Sequence, residues 1–432
     1  MSRHPAAPGS QHPFRPIPLA AALLAAVALV PLARAEVLLV DPDSPIGFPQ
    51  IQPAIDAALP GDVILVHPLA DAEAIYDPFV ISGKQLIVCG SIDQGSVRVA
   101  GAEIGDTPAG AVVALCQLDI IAPPDMPGLV IGANDGWVRL QRLNIHGGAG
   151  STTGPATGLI VNPTDSIIVT YCSIYGGDAT PGAGSPDGAR ALEVSFTHIT
   201  MRGGLLRGGR GADSLVDGRA NGGNGGTACS TNGGFVFISH VAATGGDGGL
   251  AGCPSDGSCL CGIAGNGGDV LAINGSVVKL ENNLLTPGSP TEGLCGPSGL
   301  PGVELSTVGG AVEQIPPYPP HDYWMSAPLQ SPIFAEFHYL GEEGEAIFIS
   351  AGTQPAHKYF FKYDGDVDIA VSDLLDFYFL RILDETGFHE TTHPVPPTAI
   401  PSFLGYTQGF FLKDGKFYCG PMSLLIYIGD GP

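Results

Sequence analysis

The stretch Ile199-Thr200-Met201-Arg202-Gly203-Gly204-Leu205-Leu206-Arg207-Gly208-Gly209 decides the fold, because it is one of four copies of a single phrase. Val138-Arg139-Leu140 leads to Leu143-Asn144-Ile145-His146-Gly147-Gly148, and Ile167-Ile168-Val169 leads to Cys172-Ser173-Ile174-Tyr175-Gly176-Gly177. Val236-Phe237-Ile238 leads in the same way to Val241-Ala242-Ala243-Thr244-Gly245-Gly246. The closing glycine pairs lie 29, 32 and 37 residues apart (148 to 177, 177 to 209, 209 to 246). A drifting period of this size marks a solenoid, in which each repeat buries its apolar face only against its neighbours. Apolar residues alternate within each copy, so the repeats are strands and not helices.

Working outward, the pattern extends in both directions. Strands are expected at Leu86–Gly90, Val97–Val99, Val112–Cys116, Val130–Ile131, Leu159–Val161, Leu192–Val194, Val270–Ile273 and Val277–Leu280, separated by Gly and Pro turns. From Gly203 to Gly302 the connecting loops grow long and rich in glycine, as in Asn221-Gly222-Gly223-Asn224-Gly225-Gly226. Glycine does not recur at every third residue along the chain, which excludes collagen, and these loops read as surface turns. Because coil length grows here, this is where a ligand is expected to meet the solenoid.

Ahead of the repeats, Ile51, Ala54, Ile55 and Ala58 fall on one helical face, and Pro60-Gly61-Asp62 ends that helix before the strand Val63–Val66. A short amphipathic helix at the start of a solenoid closes the open end of its core. The segment Ile51-Gln52-Pro53-Ala54-Ile55-Asp56-Ala57-Ala58-Leu59-Pro60-Gly61-Asp62-Val63-Ile64-Leu65-Val66 resembles the opening of right-handed parallel β-helix proteins of the pectin-lyase-like superfamily. With the repeats, the resemblance spans residues 37 to 312. It implies a parallel β-helix with an N-terminal capping helix, and it implies little about activity, since that superfamily holds lyases, hydrolases, esterases, epimerases and non-enzymes.

After the proline-rich Ile315-Pro316-Pro317-Tyr318-Pro319-Pro320, composition changes: 9 of 12 Tyr and 12 of 18 Phe lie from Tyr318 onward. Short aromatic strands there predict a small antiparallel β-sandwich. Ile382 to Gly387, Val395-Pro396 and Gly405 to Phe410 resemble a C-terminal module found at the end of many exported bacterial proteins. The expected organisation is a signal peptide at 1–35, a β-helix at 36–312, a linker at 313–322 and a β-domain at 323–432. The signal reads from the basic residues up to Arg15, the apolar run Leu19–Leu32 and the small-x-small site Ala33-Arg34-Ala35. Secretion to the extracellular space or cell surface follows, with no stable membrane insertion after cleavage.

Net charge is −24, with 18 Lys+Arg against 42 Asp+Glu, so no basic footprint exists for nucleic acid. Among the nine cysteines, Cys89, Cys116 and Cys172 sit in apolar strand-like runs and read as core residues. Cys229, Cys253, Cys259, Cys261 and Cys295 lie in glycine-rich loops and read as the disulfide formers. The C-x-C pair Cys259/Cys261 lacks the spacing of common zinc knuckles.

In a parallel β-helix, equivalent residues of successive coils stack one strand spacing apart, about 4.8 Å. The repeats therefore place His146, Tyr175, Arg207 and Thr244 in one outward column, with Ile145, Ile174, Leu206 and Ala243 as their inward neighbours. Such a ladder suits a polysaccharide laid along the helix axis, with Arg pairing carboxylates and Tyr stacking on sugar faces. Asp178, Asp187, Arg190, Arg207, Arg210, Asp213 and Asp217 form the densest cluster of acids and arginines. It is the place where an acidic-glycan lyase or glycoside hydrolase would have its site, and Ca²⁺ is the one cofactor such acids would hold. The motifs that the superfamily's enzymes carry are missing from the sequence: no Asp-Asp pair, no Gly-His-Gly or Arg-Ile-Lys, no Trp-Ile-Asp-His and no Asp-Pro-His-Asp. Nor is there a Gly-x-Ser-x-Gly elbow, a phosphate loop or a tandem calcium nonapeptide. The expected function is thus a non-catalytic exported protein that binds polysaccharide along the column, with the enzyme as the competing class.

Overall fold

The computed structural model describes residues 36–91, 95–150, 154–181, 186–214, 221–252, 262–292, 296–315, 322–325, 329–330, 334–352, 355–360, 365–369, 376–386, 388–394, 403–413 and 416–428. The expected signal peptide and Asp217, Cys253, Cys259, Cys261 and Cys295 lie outside the described residues.

Twenty-one strands between Val37 and Gln314 pair into one continuous, wholly parallel sheet coiled on itself. Three sheets make up each coil. Sheet one runs from Val37–Val40 through Val63–Val66, Ile87–Gly90, Val112–Cys116 and Asn134–Gln141 to Val277–Glu281 and Ala311–Gln314. Sheet two holds Val97–Val99, Leu118–Ile121, Asn144–His146, Ala242–Thr244 and Leu284–Thr286. Sheet three holds Phe79–Ser82, Ala102–Gly105, Leu129–Ile131, Leu159–Val161, Leu271–Asn274 and Leu305–Val308. Where repeats are longest, one strand bends across sheets: Leu192–Arg207 serves all three. This is the expected parallel β-helix.

Alternation fills the interior with stacked columns. Val113, Val138, Ile167, Ile199, Val236, Val278 and Val312 follow one another in register on sheet one. On sheet two Ile120, Ile145, Ile174, Leu206 and Ala243 do the same, and all five are at most 1% exposed. Cys229 takes a place in a sheet-three column otherwise built of leucines: Leu129, Leu159, Leu192, Cys229, Leu271 and Leu305. It is a core residue there, not a loop disulfide former, and burial pushes its thiol up to about 12. The corner between sheets one and two is turned by single left-handed residues: Gln117, Arg142, Tyr171, Gly203, His240 and Asn282, with φ between 47° and 65°. Only one is glycine, at the place where a Cβ would run into the Tyr171 ring. The other five accept strain of about 1 kcal/mol each, which the stacked coils hold in place.

The predicted cap is the helix Ile51–Ala57, which buries Ile51, Ala54 and Ile55 against the first coil. It has no cationic residue in its last turn; instead Lys84 Nζ donates to the carbonyls of Ile55, Asp56 and Ala58 from the next coil. A second correction concerns Cys89 and Cys116, which are disulfide-bonded and not free core thiols. They occupy neighbouring coils in register, on the outer face of sheet one, where strand neighbours bring two Cβ atoms within bonding range.

The C-terminal part is antiparallel apart from one strand pair. Ala346–Gly352 lies between Asp376–Ile382 and Phe403–Lys413, which pairs with Lys416–Ile428. Leu329–Gln330 adds to that sheet in parallel, and a three-stranded sheet is built on Phe334–Leu340. This domain meets the solenoid: Arg202 Nη1 donates to Cys419 O at 3.2 Å. Along the outer face of sheet one Arg139, Gln141, Thr170, Thr200, Arg202 and Phe237 are all buried. Arg139 lies over the Trp137 ring and Arg202 over Phe237, with 5.5 and 5.0 Å to the ring centroids. A polymer cannot lie on that face.

Candidate binding column and the glycine-rich plate

The proposed column exists. His146 pairs in register with Tyr175, Tyr175 with Arg207 and Arg207 with Thr244, and Thr286 continues the line. His146 and Tyr175 are stacked, 4.4 Å between centroids and 5° between planes. That contact changes what the column can do. Each ring shows the solvent its edge, so the Tyr175 face expected to carry a sugar is already covered on one side by His146. The polar edges and the Arg207 guanidinium remain. Arg207 is exposed and makes no ion pair among the described residues. Burial lowers the His146 pKa, and Asp119 one coil away partly offsets this.

Beyond the column, each coil leaves the solenoid, runs outward and returns to sheet three. The glycine-rich segments expected to be surface turns are the two halves of this excursion, and they are packed as firmly as the core. Burial follows a three-residue rhythm: in Arg207-Gly208-Gly209-Arg210-Gly211-Ala212 the arginines are exposed and the other four residues buried. Thr244-Gly245-Gly246-Asp247-Gly248-Gly249 repeats it, with Asp247 the exposed residue. Three residues per turn, hydrogen bonds only to neighbouring segments and no glycine here with positive φ describe left-handed polyproline-II-type helices, packed side by side in two layers.

The glycine N–H groups of the x-Gly-Gly triplets follow a regular scheme. The first glycine donates to the outward residue of the next coil in its own layer: Gly176 to Arg207 O, Gly208 to Thr244 O, Gly245 to Thr286 O. The second donates across to the other layer, forming an unbroken zigzag from Gly209 to Ala189 O, Gly226 to Gly209 O, Gly246 to Gly226 O, Gly268 to Gly246 O and Gly288 to Gly268 O. A Cβ on Gly208, Gly209, Gly225 or Gly226 would overlap a carbonyl oxygen of an adjacent segment. At these four positions glycine is required by the close approach of backbones, while Ala189 and Ala212 show that other inward positions of the plate admit a methyl group.

The N–H of the outward residue itself would be left over. At eight positions it is met by an Asp or Asn of the preceding coil. Asp178 accepts from Arg210 N at 2.7 Å, Asp187 from Asn224 N at 2.7 Å, Asp213 from Leu250 N at 2.8 Å and Asp247 from Ser289 N at 2.9 Å. Asn221, Asn224, Asn266 and Asp269 do the same for Ile263, Asn266, Leu300 and Val303. In the last coil nothing follows, and the outward residues there are Ser289, Leu300 and Val303.

The expected acid–arginine cluster is thus taken apart. Asp178, Arg207, Arg210 and Asp213 stand on the outgoing layer, Asp187 and Arg190 on the returning one, and side chains of the two layers point away from each other. Arg190 pairs with Glu193 and Arg210 with Asp213. Among the described residues no three acids, histidines or cysteines converge where a metal ion could be held. Of the candidate carboxylates, Asp178, Asp187 and Asp213 each accept a backbone N–H of the next coil. What the sequence reading missed is the local period of three, visible in Asn221-Gly222-Gly223-Asn224-Gly225-Gly226-Thr227, with Asx at the positions that need an acceptor.

No protein-family model matches the chain, and no curated protein matches it in sequence. Among solved structures it is similar to ORF18 of Geobacillus virus E2, at 10% identity over 81% of this chain and 75% of that one, TM-score 0.22. It is also similar to the enzymatically active domain of tailspike protein 4 of bacteriophage CBA120, at 10% identity over 85% of this chain and 64% of that one, TM-score 0.17. At these TM-scores neither likeness bears on function.

Proposed function

We propose that this is an exported, non-catalytic β-helix protein of the extracellular space or cell surface, of the pectin-lyase-like kind, that binds polysaccharide along the His146–Tyr175–Arg207–Thr244 column. The observation that carries the reading is the register of these four residues in successive coils, which includes an exposed guanidinium without an ion-pair partner among the described residues. Contact is through hydrogen bonds from ring edges, hydroxyls and Arg207, not through stacking. Support for a non-catalytic role comes from the nearby Asp178, Asp187 and Asp213, whose carboxylates accept backbone N–H groups of the plate. The apolar N-terminal run supports export, and among the described residues no helix is long and apolar enough to cross a membrane.

The test is incubation of the mature protein with pectate, alginate and neutral glycans, with and without Ca²⁺. Binding without new reducing ends or unsaturated product is expected; either product would establish a lyase or hydrolase instead. On a glycan array, a Tyr175→Ala/Arg207→Ala variant that keeps the wild-type signal would remove the column from the reading.

A further inference from the structure

The returning layer carries a feature that the column reading does not use. Asn221, Asn224 and Asn266 each turn Oδ1 onto a backbone N–H of the next coil, at 2.9 Å to Ile263, 3.0 Å to Asn266 and 2.7 Å to Leu300. An amide held by its oxygen has its nitrogen pointing the other way. None of the three Nδ2 groups makes a hydrogen bond among the described residues, and the side chains of Asn221 and Asn266 are exposed. These are fixed donors, two N–H bonds each, held in place by the backbone N–H groups that their oxygens accept from. Asn224 and Asn266 are one coil apart, about 4.8 Å; Asn221 and Asn224 are one polyproline-II turn apart, about 9 Å. Thr227 adds a hydroxyl one further turn along. Among the described residues the face has no Lys and no outward aromatic side chain, and Arg190 is paired with Glu193 at 3.0 Å.

We propose that the returning face of the plate is a second binding surface, in which the amide ladder Asn221–Asn224–Asn266 donates hydrogen bonds to the hydroxyl oxygens of a neutral polysaccharide. Neutrality follows from the donors: uncharged amides match hydroxyl and ether oxygens, while the −24 charge of the chain repels polyanions, and among the described residues no unpaired cation stands on this face to hold them. Rigidity matters because the donors are ordered before the ligand arrives, so binding loses little side-chain entropy. Single contacts are weak, and retention depends on many of them along one polymer. The surface is independent of the column on the opposite layer and stands or falls separately.

Asp serves as the brace at Asp187 and Asp269, so Asn→Asp keeps the accepting oxygen and puts a charged acceptor where the two donors were, a charge to which a neutral polymer is indifferent. Asn221→Asp/Asn266→Asp places no two carboxylates in adjacent coils of one column. The measurement is depletion of the full-length mature protein from solution by cellulose, chitin and starch granules. Wild type is expected to be retained on at least one, and the double variant about fivefold less, two hydrogen bonds being lost, with an unchanged thermal midpoint. If the double variant unfolds, Asn221→Asp alone is expected to lose about twofold. No wild-type retention on any of the three, equal retention of the folded variant, or loss of retention in Tyr175→Ala/Arg207→Ala would each overturn the proposal.

Discussion

The carboxylate of Asp178 accepts a hydrogen bond from the backbone N–H of Arg210, 2.7 Å away and one coil further along the solenoid. This pair is the unit from which the plate is built. A polyproline-II-type segment has no internal hydrogen bonds, so all its donors must be met from outside. Close backbone packing, which glycine permits, gives the inward N–H groups carbonyl partners, and at eight outward positions an Asx side chain accepts from the remaining one.

If Asp213 works as such a brace for Leu250 N–H, its replacements separate geometry from charge. Asp213→Ala leaves a half-buried donor unmet and is expected to destabilise by about 1 kcal/mol. Asp213→Asn keeps the acceptor and loses only the exposed pairing with Arg210, which contributes well under 1 kcal/mol. Chemical denaturation of the three proteins reads the difference, and equal losses for both variants would contradict the brace.

The same logic ranks glycines. Gly226→Ala drives a methyl group into the carbonyl of Ala189, with backbone on both sides and no flexible side chain to yield. A loss of about 2–3 kcal/mol is expected. Gly105→Ala, where nothing lies within 4 Å and φ is not positive, is expected to change stability by less than about 0.5 kcal/mol. Thermal or denaturant midpoints test the contrast.

His146 has its pKa lowered chiefly by burial beneath the Tyr175 ring and its surroundings. Between its folded pKa and the ordinary value near 6.5, the unfolded chain binds more protons than the folded one. The contribution of this group to stability is therefore full above about pH 6.5 and is lost as pH falls through the folded pKa. Tyr175→Ala rehydrates the imidazole and is expected to move its NMR titration midpoint upward. A midpoint that stays put would place the desolvation elsewhere.

Reduction should act on one part of the solenoid. The Cys89–Cys116 bond closes a loop of 27 residues, and removing it by Cys116→Ala is expected to destabilise by on the order of 3 kcal/mol. Cys172 and Cys229 are fully buried, with thiols pushed up to about 12 by burial. Peptide mapping after iodoacetamide treatment should find both unmodified in the native protein and modified once it is denatured.

Amino-acid order alone determined the coil. Alternation fixed which of Ile145/His146, Ile174/Tyr175 and Leu206/Arg207 face inward and outward, because a period of two leaves no other arrangement for a buried sheet face. It also placed the capping helix at Ile51–Ala57, through the spacing of its apolar residues. What only the tertiary structure decided are relationships across coils. Cys89 and Cys116 looked like two core residues until register set them side by side. Asp178 and Asp187 looked like one acidic cluster until the chain's excursion and return put them on opposite faces. The glycine segments looked like turns, because a segment without internal hydrogen bonds has no signature of its own. Its partners are carbonyls of other segments, from Ala212 for Gly223 to Ile263 for Gly222, and only the stacking of coils says which ones.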